Sequence, residues 1–292
     1  MFFSIIIPTY NRGQIIVETL NSVLGQDFVE FEIIVVDDGS TDDTRIIVEN
    51  IKSEKISYYY KINEERSIAR NFGADQAKGR YLIFLDSDDK MLKNHLSLAH
   101  DYIQLKQFKV LFLFTGYAIY QTDGSKLYEF SEEGIFKKTK LFYGNFLGCS
   151  SVLVDRTLFK KHYFNADARL ILFEDWELWL RIIADTPLHC IPAKSITMIN
   201  HEGRSVLNYN VQQLTDRIFF FKNHILNYPK LIADSSVYRR IFLMGIYSYA
   251  SLHIALTKHN RPAAIKYLLL SITNSPALFF KRRFFGILKQ LF

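Results

Sequence analysis

Carboxylates gather at three stations along this 292-residue chain. Asp37 and Asp38 close the apolar run FEIIVVDD. Asp86, Ser87, Asp88 and Asp89 close a second run, YLIFLDSDD, and Glu174 and Asp175 open the pattern EDWELWLRII. Oxygens spaced as in Asp86-x-Asp88 are hard ligands of the kind Mg²⁺ or Mn²⁺ accepts, and such an ion joins carboxylates to phosphate oxygens. A carboxylate beside a buried stripe, as Asp175 is beside Trp176, Trp179, Leu180 and Ile183, can take a proton from a hydroxyl. Each station also has a plainer reading. The stretch after β-like LDSDD can cap a helix, Ser40 or Thr41 can cap the helix after Asp38, and Glu174-Asp175 suits the positive end of a helix dipole. Glu177 and Arg181, four residues apart, read as a surface pair.

The elements around these stations alternate. SIII precedes a helical pattern over Ile15 to Leu24, and EIIVV precedes one over Asp42 to Ile51. ISYYY leads to Glu64 through Ala77, and YLIFL to Leu92 through Gln104. Short β-branched runs between amphipathic helices predict βαβ units, a mostly parallel sheet flanked by helices and a Rossmann-like α/β fold. In such sheets ligands sit beyond the carboxyl ends of the strands, where Pro8-Thr9, Asp37-Asp38 and Asp86 through Asp89 all fall. VLFLFTGYAIY and KLYEF flank a hairpin turn at Thr122 to Ser125, and CSSVLVD reads as a further strand. Helical patterns follow over Val206–Leu226, Ser236–Leu256, Ala263–Ser271 and Ala277–Leu291. The predicted division is a first domain over 1–205, in two parts 1–105 and 106–205, and a basic helical extension over 206–292.

Composition supports an ordered chain, 49% hydrophobic and 15% aromatic. The opening MFFSIII reads as a strand and not as a signal peptide. Two cysteines without metal-type spacing make a reducing cytoplasm the simplest compartment. The net charge of +6 is unevenly spread: 235–292 holds nine Lys and Arg and no acidic residue. In the last helical pattern Phe280, Phe284, Ile287, Leu288 and Leu291 share a face, with Arg282 and Lys289 opposite. That pattern suits an anionic membrane surface; the same helix docked on the protein's own core is the alternative. Nucleic acid would use the same charge, but no nucleic-acid motif accompanies it.

The segments SIIIPTYNR (4–12), VLGQDFVEFEIIVVDDGSTDDT (23–44), ARNFGADQAKGRYLIFLDSDD (69–89) and FEDWELWLR (173–181) together resemble the family 2 glycosyltransferases. The resemblance implies a GT-A fold and an inverting transfer from a nucleoside diphosphate sugar, a UDP-sugar by preference. The acceptor it implies is a saccharide, lipid-linked, in bacterial surface-polysaccharide synthesis, with the enzyme peripheral on the inner membrane face. It implies Asp175 as the catalytic base with Glu174 in support. Asp88 is implied as the direct ligand of Mn²⁺ or Mg²⁺, with Asp86 near the metal and the ribose. Pro8, Tyr10, Arg12, Asp38, Arg70, Asp86 and Ser87 are implied around the nucleotide, and His201 as a metal ligand or phosphate contact. Asn63 to Ser67 depart from the family, which often has a small or glycine-containing turn there. A sugar nucleotidyltransferase would want a Gly-rich loop after the first strand, and an Asp-x-Asp phosphatase would carry its aspartates there. A non-catalytic binding or scaffold protein of the same fold is the rival outside enzymology.

Overall fold

The β-branched runs become strands that pair in the order the alternation implies. β1 (Phe3–Thr9), β2 (Phe31–Asp37), β3 (Ile56–Tyr60) and β4 (Tyr81–Phe84) form a parallel set ordered β3-β2-β1-β4. The sheet then continues through strands of both directions: β5 (Asp89–Met91), β6 (Phe112–Gln121), β7 (Lys126–Phe130), β8 (Gly134–Phe136), β9 (Val152–Asp155) and β10 (Leu188–Asn200). β9 lies antiparallel between β4 and β6, and β10 runs parallel to β6. Six of these ten strands point one way, among the described residues. The computed structural model describes residues 1–200, 210–232, 235–258 and 260–292.

Both faces of β1 and β2 are covered, so their sequences are apolar throughout rather than alternating. Ile5, Ile7, Ile33 and Val35 share one core cluster with Ile16, Leu20 and Val23 of α1 (Gly13–Leu24) and Val48 of α2 (Thr44–Asn50). Ile6 and Val36 face the other way, toward α3 (Arg66–Gln76). Gly73 lets that helix come close: a Cβ there would lie 2.5 Å from Ile6 Cγ2. Leu96, Ala99 and Ile103 of α4 (His95–Leu105) complete the first cluster.

The chain divides into two compact units. The first comprises 1–136, 147–166 and 185–202 and contains the whole sheet; the second comprises 137–146, 167–184 and 203–292. The boundary expected at 205 and 206 lies outside the described residues. The second unit also draws in 137–146 and 167–184, so the Glu174–Asp185 helix belongs to it up to residue 184. Eight of the twelve residues of that helix are buried, more than the single stripe expected. Phe173 stacks on Phe221 at 4.9 Å, and Trp176 meets Phe221 at 5.1 Å and Tyr249 at 6.0 Å. These partners come from the helices Val211–Leu226 and Ser236–Thr257.

Two expectations are corrected here. Glu177 and Arg181 are no surface pair. Glu177 is fully buried, bonded at 2.7 Å by both Arg181 Nε and Nη2, and His224 Nε2 lies 2.8 Å from Oε1. The Val211–Leu226 helix, which supplies His224, covers that face. The last helical pattern is not continuous either. A 3-10 turn over Pro276–Phe280 precedes a helix over Arg282–Leu291, with Lys281 extended between them at φ −103° and ψ 137°. Of the expected common face, Ile287 and Leu291 are buried and Phe284 and Leu288 half-buried, while Phe280 leaves it at 90% exposure; Phe279, Phe285 and Phe292, outside that face, are exposed too. No helix among the described residues is long and apolar enough to cross a membrane.

Candidate functional site

The order β3-β2-β1-β4 reverses direction between β1 and β4, which makes their carboxyl ends a topological switch point. Register brings Thr9 opposite Asp37, and Asp37 opposite Tyr60. The Leu85 amide bonds to Ile6 O at 3.0 Å, which carries Asp86 to the same edge. Nucleotide-station and metal-station residues of the first unit thus converge without any long-range design beyond strand pairing.

Asp37 and Asp38 have different tasks. Asp37 is fully buried and accepts from the Ser40 amide at 2.7 Å and from Tyr58 Oη at 2.5 Å. Burial, followed by that bond to a carboxylate, pushes the Tyr58 phenol well above its ordinary pKa. Asp37 therefore shapes the turn, in which Gly39 is required twice over: its φ is +87°, and a Cβ would meet Asn63 N at 2.8 Å. Asp38 accepts from Lys61 Nζ at 2.7 Å and from the Glu64 amide at 3.1 Å. Lys61 also pairs with Glu64 at 2.9 Å. Burial opposes the Lys61 charge, but these hydrogen bonds and charges outweigh it and raise its pKa. A ligand reaching Asp38 must share it with Lys61.

Pro8, next to last in β1, is half-buried, and beyond the strand Tyr10 is 48% exposed and Asn11 has φ +51°. The Asn11 amide donates to Ser40 Oγ at 2.8 Å, and Asn11 Oδ1 accepts from the Thr41 amide at 2.8 Å. The Arg12 amide donates to Thr44 Oγ1 at 3.0 Å. Ser40 and Thr41 thus clasp the first loop instead of capping a helix. α2 begins only at Thr44, whose amide Asp42 accepts at 3.0 Å. The buried Thr9 hydroxyl at this edge has no hydrogen-bond partner among the described residues.

The third loop gathers three carboxylates. One oxygen from each of Asp86, Asp88 and Asp89 lies within 4.8 Å of the others. Arg70, 3% exposed, donates from Nη2 to Asp86 Oδ1 at 2.7 Å and lies over the Phe164 ring at 5.1 Å. Ser150 Oγ donates to Asp89 Oδ2 at 2.6 Å and accepts the Asp86 amide at 3.1 Å, tying both ends of the loop to one hydroxyl. Ser87 O accepts from Thr19 Oγ1 at 2.9 Å. An all-oxygen set of this size fits Mg²⁺ or Mn²⁺, which take one or two carboxylates and leave other positions for phosphate and water. Asp89 is the residue that reading Asp86-x-Asp88 alone leaves out. Its signal was its place in LDSDD, but its buried position depends on β5 pairing with β10. Lys61, Tyr58 and Ser150 carry no sequence signal at all, because each arrives from a separate element. Glu65, in the departing segment, holds φ +75° and ψ 157°, a conformation that glycine adopts readily.

In the second unit Asp175 is half-buried and Glu174 is buried. Asp175 Oδ1 accepts the Trp176 amide at 2.6 Å, and Oδ2 accepts Asn145 Nδ2 at 3.0 Å. Trp176 Nε1 donates to Leu141 O at 3.0 Å. Asn145 has no counterpart in the four motif segments. His201 lies outside the described residues.

Comparison with known proteins agrees with this architecture. Residues 4–163 match the Glycosyl transferase family 2 description. An uncharacterized glycosyltransferase of Rickettsia bellii is 30% identical over 228 residues, 77% of this chain and 32% of its own. The chain thus spans about a third of that relative's length. An Escherichia coli protein named UDP-Glc:alpha-D-GlcNAc-diphosphoundecaprenol beta-1,3-glucosyltransferase WfaP is 36% identical over 189 residues, 62% of this chain and 70% of its own. Among solved structures, Staphylococcus aureus TarS 1-349 in complex with UDP-GlcNAc has a TM-score of 0.65 at 20% identity, covering 96% of this chain and 92% of that one. That likeness shows the GT-A fold, and the family match extends over more than half of the sequence. The chain belongs to glycosyl transferase family 2.

Proposed function

We propose that the chain is a metal-dependent inverting transferase that moves a sugar from a nucleoside diphosphate donor, a UDP-sugar by preference, to a hydroxyl of a lipid-linked saccharide in surface-polysaccharide synthesis. The observation that carries this reading is the gathering of Asp86, Asp88 and Asp89 at the switch point, with Arg70 held on Asp86. Asp88 and Asp86 hold Mn²⁺ or Mg²⁺, which when bound offsets the charge of the departing diphosphate. His201 is assigned to the same metal or to a phosphate. Asp38 takes the nucleotide base, Tyr10 stacks on it, and Pro8, Arg12 and Ser87 line the base and ribose.

Asp175 accepts the proton of the acceptor hydroxyl as that oxygen bonds to the anomeric carbon, and the bond to the diphosphate breaks with its electron pair left on phosphate oxygen. Attack from the opposite face turns an α-linked donor into a β-linkage. Buried Glu174 supports the base. The names of the E. coli relative and of the TarS complex supply the lipid-linked acceptor and the uridine donor as the first candidates. The exposed Phe279, Phe280, Phe285 and Phe292, together with Lys281, Arg282 and Lys289, meet an anionic inner membrane face.

A thermal-shift screen with UDP-, GDP- and dTDP-sugars, each with Mn²⁺, Mg²⁺ or chelator, tests the donor half. Asp175→Asn tests the base: transfer should fall about a thousandfold with donor binding kept. A variant that transfers at the wild-type rate removes Asp175 from the role. Donor binding with no transfer to any acceptor would favour the non-catalytic reading.

A further inference from the structure

Arg283 is a half-buried cation of the acid-free 235–292 stretch. Burial draws its pKa below the ordinary value, and no carboxylate of the described residues pairs with it. Its Nη1 donates instead to Tyr143 O at 3.0 Å, Gly245 O at 3.2 Å and Ser248 Oγ at 3.2 Å. Burying a guanidinium on neutral acceptors alone is costly, so something other than local pairing explains its place.

The segment it grips is built to be gripped. Gly144 has φ +149°, and a Cβ there would stand 2.3 Å from Arg283 Nη2. Gly245 lets the Ser236–Thr257 helix press on the same segment, since a Cβ there would fall 2.0 Å from Phe142 O. On its other side the segment holds the start of the base helix by two bonds. Leu141 O accepts Trp176 Nε1, and Asn145 Nδ2 donates to Asp175 Oδ2. All these groups lie in the second unit.

We propose that Arg283 is a positioning residue for the transfer reaction: from the last helix it fixes the Tyr143–Gly144–Asn145 turn, and Asn145 in turn orients the Asp175 carboxylate. The inference rests on Asp175 being the base. A carboxylate misplaced by about 1 Å costs on the order of a hundredfold in rate. Loss of the Asn145 bond also raises the carboxylate's pKa, since a hydrogen bond to the charged form is removed.

The test compares Arg283→Ala, Arg283→Lys, Asn145→Ala and the double variant Arg283→Ala/Asn145→Ala in full-length protein, with UDP-sugar and a saccharide acceptor. Expected for Arg283→Ala are a kcat lower by about ten- to a hundredfold, a donor KM within twofold, and an acidic limb of the pH–rate profile moved to higher pH. Arg283→Lys should recover part of the rate. The double variant should be no slower than the slower single one, because both act through one bond. A kcat within twofold of wild type in Arg283→Ala, or losses that multiply in the double variant, would overturn the proposal. If Arg283→Ala does not fold, Asn145→Ala decides: an unmoved acidic limb with wild-type kcat sinks it. An active Asp175→Asn variant would instead sink the base assignment. An inactive one beside a fully active Arg283→Ala would sink the positioning role alone.

Discussion

Replacing Arg181 by Met separates two descriptions of one ion pair. On a surface helix, Glu177 and Arg181 at i and i+4 would contribute about 0.3–0.5 kcal/mol. In this structure Glu177 is fully buried, gripped by both Arg181 nitrogens and by His224. Burial alone would raise the Glu177 pKa; the bonds from His224 and Arg181 more than reverse this and lower it. Arg181→Met leaves a carboxylate that water cannot reach with His224 as its remaining partner, which costs up to about 3–5 kcal/mol. Glu177→Met/Arg181→Met removes both charges and should recover most of that loss, since apolar groups of similar volume replace buried pairs nearly neutrally. The assay is built into the chain. Its two tryptophans, Trp176 and Trp179, are both buried in this helix. Urea unfolding followed by tryptophan fluorescence therefore reports on this helix and its surroundings. A midpoint for Arg181→Met that implies less than about 1 kcal/mol would refute the buried description. So would a double variant as unstable as the single one.

Other outcomes follow from the same geometry. Asp88→Asn should abolish the metal-dependent part of donor stabilisation, which amounts to about 2.7 kcal/mol for wild type at a hundredfold excess over Kd; thermal shift with and without chelator reads it. Glu65→Gly should stabilise the first unit by about 1 kcal/mol through relief of its +75° φ, as measured by urea midpoint. Phe280→Ser/Phe285→Ser should weaken co-sedimentation with phosphatidylglycerol vesicles about tenfold or more while leaving transfer to a soluble acceptor unchanged. Burial pushes His95 and His253 down to about 4, so neither takes a proton in the folded chain until well below the unfolded value of about 6.5. The unfolded state therefore binds more protons between those limits. Stability should hold above pH 6.5 and fall by about 3 kcal/mol per histidine down to pH 4. His95→Gln and His253→Gln should each flatten the urea-midpoint profile in that window.

The parallel half of the sheet was legible because its signals are local. β-branched runs, helical periods and polar residues at strand ends suffice to bring Thr9, Asp38 and Asp86 to one edge. The helices over Gly13–Leu24 and Arg66–Gln76 fall within two residues of the pattern read from the sequence. What escaped depends on partners distant in sequence. β9 enters between β4 and β6 antiparallel, which nothing in CSSVLVD specifies. Glu177 looks like a surface residue until His224 arrives 47 positions later. Lys61 on Asp38, Ser150 on Asp89 and Asn145 on Asp175 are likewise meetings of separate elements. The break before Arg282 falls at Lys281, which carries no breaking signal within the apolar spacing of Phe280 to Leu291.

The helix that carries Asp175 is made long before its cover. Trp176 packs against Phe221, Phe242 and Tyr249. At about 5–20 residues per second a ribosome needs roughly 4–15 s to reach Tyr249 after Trp176. Until Phe221, Phe242 and Tyr249 are made in turn, Trp176 and Phe173 lack these ring partners and offer an apolar segment to holding chaperones. The parallel strands and the Asp86–Asp89 loop have by then been synthesised. A nascent chain stalled before Tyr249 thus possesses the residues proposed for the donor but no closed seat for Asp175, the proposed base, and the order of synthesis sets the order in which these two parts become available.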